Sequence, residues 1–325
     1  MKIWMKFLAG LMMAILAAAA GGCGPDVPLR QSGETRIVVD DEGTAVRVPS
    51  HPKRILSLTS AIDTIMLDIV DPDRMAAVNS LDRYEGFSMS WEKARKVKTV
   101  LRDYNIETIV KLKPDLVLVP DYSSENVVSS IRGMGIPAVV INSSTTVDST
   151  FTIIRKLGEV VNEEAAAEAL AAKVETDLDK VDEMRARIPK GQERSTVFLS
   201  TMNGYAGTGS LYDNMCPRMG IINAPSAMGL PPRTAFTDER IVAMDPDYLF
   251  LPVYTRRDLA VVERYYHDPA FSGMKSVRSH TILPLKAAYL YTSNQYIGKS
   301  MMAIMRAVYP DIFTEGQSES QGGVL

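Results

Sequence analysis

Residues 105–122 read NIETIVKLKPDLVLVPDY, and residues 237–254 read TDERIVAMDPDYLFLPVY. Laid over each other without a gap, they share Glu107 with Glu239, Ile109 with Ile241 and Val110 with Val242. They also share Pro114 with Pro246, Asp115 with Asp247, Pro120 with Pro252 and Tyr122 with Tyr254. Each copy carries the same physical instructions. Asn105 or Thr237 caps a short helix whose first turn is acidic. Apolar residues at helical spacing give that helix one buried face. Pro114 or Pro246 stops it, because proline disfavours the helical conformation in the residue before it. The apolar runs Leu116–Val119 and Tyr248–Leu251 then predict short strands buried on both faces. A second proline ends each strand, and a tyrosine follows two residues later. The pattern is half of an α/β unit, and the chain contains it twice.

The residues around the first copy extend the same grammar. Arg36–Val39 and Val46–Val48 flank an acidic turn and predict a hairpin. The stretch 52–58 predicts a strand, and Ile62, Ile65, Met66 and Ile69 behind it recur at helical spacing. Thr59 or Ser60 therefore sits at a strand-to-helix turn. In open α/β sheets that turn faces the ligand. Met75–Val78 predicts another strand. Ser80–Lys96 has no clear periodicity and holds Arg83, Tyr84, Phe87, Met89 and Trp91. A segment this long is usually functional; covering a core edge is the equal alternative. A helix over Asn126–Met134 and a strand over Pro137–Ile141 complete the first half.

Val147–Ile188 shows no strand signal. It predicts two helices, the second carrying Leu170, Val174, Leu178 and Val181 on one face and charges on the other. It is either a helix packed on one domain or a connector spanning two. The second half adds a strand at Thr196–Ser200 and a glycine-containing loop over 202–209. A helix at Leu211–Met219, a short strand at Ile221–Ile222 and an irregular loop over Asn223–Phe236 lead to the second copy. After it come a short helix opened by Asp268, strands at Ile282–Leu285 and Ala288–Tyr291, and a helix over Tyr296–Tyr309.

The first 22 residues have the layout of an export signal: Lys2 and Lys6, an apolar core from Phe7 to Ala20, then small residues. Ala20-Gly21-Gly22-Cys23 resembles a bacterial lipobox, with Ala20 where that pattern prefers leucine. The expected anatomy is a signal peptide over 1–22, a lipidated tether from Cys23 to Gly33 and an N-terminal α/β lobe over 34–146. A helical connector over 147–189, a C-terminal α/β lobe over 190–315 and a disordered tail over 316–325 follow. Cleavage by an ordinary signal peptidase, with Cys23 incidental, is the alternative. Lipidation of Cys23 leaves Cys216 without a disulfide partner, as a small buried apolar residue.

Hydrophobic residues make up 46% of the chain, enough for packed cores, and the net charge of −3 does not suggest a nucleic-acid binder. The chain contains no G-x-S-x-G, Walker or H-E-x-x-H motif, so no catalytic residue is assigned. His51, His267 and His280 lack metal-ligand spacing, so no metal site is assigned.

With these motifs in hand, the chain resembles the substrate-binding proteins of ABC importers that carry ferric siderophores, haem or cobalamin. The resemblance runs from about Arg36 to Phe313. It rests on RILSLTSAIDTIML (54–67), both repeat copies, the helical middle and HDPAF (267–271). It implies two lobes, each a mostly parallel sheet wrapped by helices, joined by one long α-helix, with the ligand in the cleft between them. It implies a monomer without a covalent cofactor that takes up a metal chelate and delivers it to a permease and its ATPase. The location implied is the outer face of the bacterial cytoplasmic membrane or the periplasm, with a lipid holding the protein to the membrane. It also assigns Glu107 and Glu239 to permease docking; a helix-dipole role is the alternative for both. The expected ligand-binding residues are Thr59, Ser60, Tyr84, Trp91, Tyr122, Tyr205, Arg233, Tyr254, Arg256 and Arg257. Aromatic rings suit a macrocycle or catechols, and arginines suit carboxylate or catecholate oxygens. A surface lipoprotein reusing the fold for sensing or adhesion is the competing reading.

Overall fold

The computed structural model describes residues 33–313 except Thr201, Asn203 and Gly204. The export segment, Cys23 and the C-terminal tail lie outside the described residues, as does the tether up to Ser32.

A hairpin of β1 (Thr35–Val39) and β2 (Ala45–Pro49) comes first. The first lobe then alternates strictly. It runs β3 (Ile55–Ser57), α1 (Ser60–Ile69), β4 (Met75–Asn79), α2 (Trp91–Ala94), β5 (Val100–Leu101), α3 (Ile106–Lys111), β6 (Leu116–Pro120), α4 (Glu125–Gly133) and β7 (Ala138–Ile141). These five strands form one parallel sheet in the order β5-β4-β3-β6-β7. The strand order reverses between β3 and β6, so the crevice beyond the ends of those two strands is the place for a ligand.

Next come α5 (Val147–Val161) and α6 (Glu164–Ala186). Asn162 turns the chain between them in the left-handed conformation, φ 61°, a role asparagine tolerates. The second lobe runs β8 (Arg194–Phe198), α7 (Leu211–Met219), β9 (Ile221–Asn223), α8 (Ala224–Ala227), α9 (Asp238–Met244), β10 (Tyr248–Val253), α10 (Ala260–His267), α11 (Lys275–Arg278), β11 (Ile282–Lys286), α12 (Ala287–Leu290) and α13 (Ile297–Val308). Its sheet is parallel in the order β11-β10-β8-β9, with the reversal between β8 and β10.

Helix α6, about 34 Å long at 1.5 Å per residue, packs against α1 and α5 of the first lobe and α7 and α13 of the second. Its apolar face (Leu170, Val174, Leu178, Val181) enters a core that also contains Ile65, Ile154, Met215 and Met301. This shared core lies between the sheets. Separate cores cover the far faces: Leu56, Ile109, Val119 and Ile131 in one lobe, Val197, Ile241, Leu251 and Phe271 in the other.

The repeat builds matching joints. Asn105 Oδ1 accepts from Thr108 N at 2.8 Å, and Thr237 Oγ1 accepts from Arg240 N at 3.4 Å. The residue before each first proline, Lys113 or Asp245, is left-handed, with φ 48° and 38°. Asp115 accepts from the amides of Lys53 and Arg54 at 2.7 and 2.9 Å, pinning the entry to β3. Asp247 does the same for β8, accepting from Ser195 N at 2.8 Å and Ser195 Oγ at 2.9 Å. Strands β6 and β10 each lie in the interior of their sheet.

Two local expectations change. The apolar run Ala288–Tyr291 predicts a strand, but Ala288–Leu290 lie in the helical turn α12 and Tyr291 ends it. Tyr291 N donates to Ala287 O at 2.9 Å, and the turn frees Ala288 N to bond Gly86 O of the other lobe at 3.0 Å. The irregular loop after Ile222 contains the short helix α8, which Pro225 suits because its early position needs no amide donor.

Candidate functional site

The carboxyl ends of both sheets open onto one cavity of about 590 Å³, within the usual range for small-molecule sites. The first lobe contributes Thr59 after β3, Pro120 and Tyr122 at the end of β6, and Asn142–Thr145 after β7. The second contributes Tyr205, Thr208–Tyr212, Arg233 and the pair Thr292 and Ser293.

Three helices begin at this cavity. Thr59 precedes α1, and its side chain makes no capping bond to the first turn. Thr145 and Thr146 lead into α5, which a reciprocal Thr146–Ser149 capping box closes. Ser210 caps α7 by accepting from Asp213 N at 3.2 Å. Helix starts concentrate partial positive charge. Among the described residues lining the cavity, Arg233 supplies a full positive charge and none supplies a carboxylate. The walls therefore favour a ligand with negative oxygens, and the hydroxyls offer both donors and acceptors.

The phenols mark the middle of the cleft. Tyr122 is 68% exposed and Tyr205 39%. Burial pushes the Tyr205 phenol up from its ordinary value, and the phenols of Tyr122 and Tyr291 add to this. Tyr205 meets Tyr291 edge to face, centroids 5.2 Å apart. Deeper in, Tyr212 is buried and shares a 2.7 Å hydrogen bond with Thr196. Burial pushes the neighbouring Cys216 thiol up as well, so it stays a protonated packing residue. A second hollow of about 380 Å³ joins the cleft at Thr59, Pro120 and Tyr122 and is walled by Leu58, Ser60, Asn79 and Tyr104.

The expected ligand residues thus divide by place. Thr59, Tyr122, Tyr205 and Arg233 line the cavity, and Ser60 lines the hollow beside it. Tyr84, Trp91, Tyr254, Arg256 and Arg257 line neither. Tyr84 is exposed on the turn that opens the segment 80–96, and Trp91 starts α2 with the Arg95 guanidinium 4.5 Å above its ring. Tyr254 stacks on Phe87 at 6.0 Å and on Tyr291 at 6.5 Å. Arg256 and Arg257 lie on an exposed helical turn that Thr255 caps with Asp258. Segment 80–96 is a strap between the lobes. Glu85 pairs with Lys286 at 2.8 Å, Gly86 bonds Ala288, and Ser90 Oγ bonds Tyr296 OH at 3.1 Å. Gly86 lies so close to β10 that a Cβ there would collide with the Tyr254 carbonyl.

Sequence reasoning passed over Ser143, Ser144, Thr145, Thr208, Thr292 and Ser293. Asn142–Thr145 carries the same signal as Thr59, polar residues directly after a buried strand; the others lie on loops with no comparable signal. Among the described residues, no group of three or more His, Cys, Asp or Glu side chains could hold a metal ion, and no helix is long and apolar enough to cross a membrane.

Residues 55–289 match the family model described as "Periplasmic binding protein". The chain belongs to that family. Its members are solute-binding proteins and not enzymes. Among similar proteins, an uncharacterised ABC transporter substrate-binding lipoprotein of Bacillus subtilis, YvrC, is 25% identical over 96% of this chain and 100% of its own length. A cobalamin-binding protein of Halobacterium salinarum is 24% identical over 74% of this chain and 67% of its own. The solved structure of the periplasmic heme-binding protein RhuT from Roseiflexus sp. RS-1, in apo form, superposes with a TM-score of 0.69. It is 22% identical and covers 80% of this chain and 99% of that one. This likeness establishes the shared two-lobed α/β fold of the periplasmic binding protein family.

Proposed function

We propose that this protein is the extracytoplasmic solute-binding component of an ABC importer, and that it captures a metal chelate in the cleft between its lobes. The observation that carries the ligand reading is the make-up of the cavity wall. Three helix starts, Arg233 and a set of hydroxyls surround exposed tyrosine rings, with no carboxylate among the lining residues. Such a wall suits a large, partly flat anion whose metal is already coordinated by its own donors. A ferric siderophore or haem meets that description. A corrinoid is the second reading, favoured by the similarity to the cobalamin-binding protein of Halobacterium salinarum.

In this reading Thr59, Tyr122, Tyr205 and Arg233 contact the ligand, with Ser60 at the edge of the site. Cys23 carries the lipid that holds the monomer at the outer face of the cytoplasmic membrane, in keeping with the lipoprotein name of the Bacillus subtilis relative. Glu107 and Glu239 dock the loaded protein on the permease, which its ATPase drives. Both glutamates are exposed. Each stands on a helix whose approach borders the cleft side of its lobe: Tyr104 walls the side hollow, and Arg233 lines the cavity. Native mass spectrometry of the protein with haem, a ferric siderophore and cobalamin tests the ligand class. One stoichiometric adduct is expected, and the absence of any adduct with all three overturns the chelate reading.

A further inference from the structure

Directly behind Ser60, two carboxyl groups are buried together. Asp63 on α1 is fully buried, and so is Asp82 on the turn after β4. Asp63 Oδ2 accepts from Asn79 N at 2.8 Å, and Asp82 Oδ1 accepts from Ser60 Oγ. The remaining oxygens, Asp63 Oδ1 and Asp82 Oδ2, are buried and make no hydrogen bond to a donor of the described residues; the two carboxyls lie close to each other, and the Ser57 hydroxyl lies near Asp63 as well. Two carboxylates cannot share a hydrogen bond unless one of them holds a proton.

Among the described residues, no lysine or arginine forms an ion pair with either carboxyl. Strands β3 and β4 bring no ionisable side chain to the pair. Arg83, next to Asp82, turns its guanidinium to Val97 O. Lys93 of α2 is paired with Asp68, further along α1, and Asp68 also accepts from Gln295 at 2.6 Å. Helices α5 and α6, on the other side of α1, pair Arg155 with Glu168 and Lys156 with Glu159. Tyr104 faces the pair; its phenol is pushed up to about 12 by burial, then by Asp63 and Asp82.

We propose that Asp63 and Asp82 share one proton, and that this proton sets the affinity of the cleft for an anionic ligand by holding Ser60 and the head of the strap together. Ser60 begins α1 and walls the side hollow, next to Thr59, where the two cavities meet. Asp82 lies on the turn from which the strap leaves for the other lobe. With the proton in place the pair carries one negative charge and links both elements. Without it, a second charge appears beneath the start of α1. That charge repels an anion in the cleft and breaks the link between the carboxyls.

The expected window follows from burial, which pushes Asp82 up to about 7 and Asp63 well above the ordinary carboxylate range. The folded state therefore binds a proton that the unfolded chain has already released. Stability falls as pH rises from the ordinary carboxylate range through the folded value, and the whole penalty is present above it.

Asp82→Asn tests this, because an amide reproduces the half-protonated pair and cannot ionise. Wild type should show the infrared band of a protonated carboxylic acid at about pH 6, and the band should fade as pH rises; in the variant, where Asp63 stays buried but loses its carboxyl neighbour, the band should be weaker and fade at lower pH. Ligand-free wild type should lose melting temperature relative to the variant over the same range. The affinity arm rests on the chelate reading above and uses haemin, an anion through its two carboxylates. Wild-type affinity should drop about tenfold more than that of Asp82→Asn between about pH 6 and about pH 9. Asp63→Asn serves if Asp82→Asn does not fold. Identical melting and infrared profiles in wild type and variant overturn the shared proton. Parallel haemin profiles, with the band present, overturn its control of affinity. Haemin that binds at neither pH counts against the ligand reading, and the ligand-free measurements still decide the proton.

Discussion

Tyr122 and Tyr254 close the two copies of one repeated pattern, yet Tyr122 stands 68% exposed in the cleft while Tyr254 is half-buried between Phe87 and Tyr291. Upstream, the copies agree joint by joint: a polar cap, a left-handed residue, a proline, and an aspartate pinning the neighbouring strand. The divergence begins where each strand leaves its sheet. Strand β6 ends at Pro120, and the chain turns away at once. Strand β10 continues past Pro252 to Val253, and the strap from the other lobe lands on Tyr254. A repeat thus specifies the scaffold, while the opposite lobe decides what its last side chain does.

The largest difference should come from the pinning aspartates. Asp247 is part-buried and holds both the amide and the hydroxyl of Ser195, whereas the amides held by Asp115 are exposed. Asp247→Ala should cost about 2–3 kcal/mol in urea unfolding and Asp115→Ala about 1 kcal/mol, because water can replace the lost partner only at the exposed site. Equal losses would break the contrast. Next, Gly86→Ala should destabilise by about 2 kcal/mol, because the strap must lift from the Tyr254 carbonyl. An unchanged melting temperature would mean that the strap is not seated in solution. The tyrosines themselves should separate function from stability. Tyr122→Ala is expected to weaken ligand binding by about 1–2 kcal/mol and leave melting unchanged. Tyr254→Ala should destabilise by about 1 kcal/mol through the lost ring contacts. The reverse assignment, by titration and calorimetry on both variants, would overturn the division of roles. Smallest in the folded molecule is the charge reversal of Glu107→Arg with Glu239→Arg, which should shift stability by less than about 0.5 kcal/mol. Uptake through the importer should nevertheless collapse, with strong salt dependence in docking. Normal uptake at physiological salt leaves these glutamates only their place at a helix start.

The fold was legible because its signals are local. Strand, proline, cap and helical stripe each need only a few neighbours, and the duplication reads the message twice. Ala288–Tyr291 escaped because a short apolar run has no period long enough to separate strand from helix, and its turn is stabilised by a bond to Gly86, far away in sequence. In the cleft, the rule that ligands sit beyond strand ends reaches Thr59 and Tyr122 directly. It applies as well to Asn142–Thr145, but serines and threonines after a strand are too common to stand out. Placing Tyr254, Arg256 and Arg257 requires knowing that the strap covers the end of β10 and that Thr255 and Asp258 turn the chain outward. That information belongs to the other lobe or to the loop's own hydrogen bonds.

The position of β6 and β10 in their sheets also orders events in time. Strand β3 finds its partner β6 only when the chain reaches Leu116, and β8 waits for β10 at Tyr248. Strand β3 or β8 presents an unpaired edge until its copy of the repeat arrives; the arriving strand covers that edge, its aspartate pins the strand it covers, and β7 or β11 then adds to its other side. Pairings of such separation are slow steps, and the exposed edges before them invite aggregation. The first sheet can close while the second lobe is still being made. The core around α6 comes last, because α13 near the end of the described chain supplies part of it.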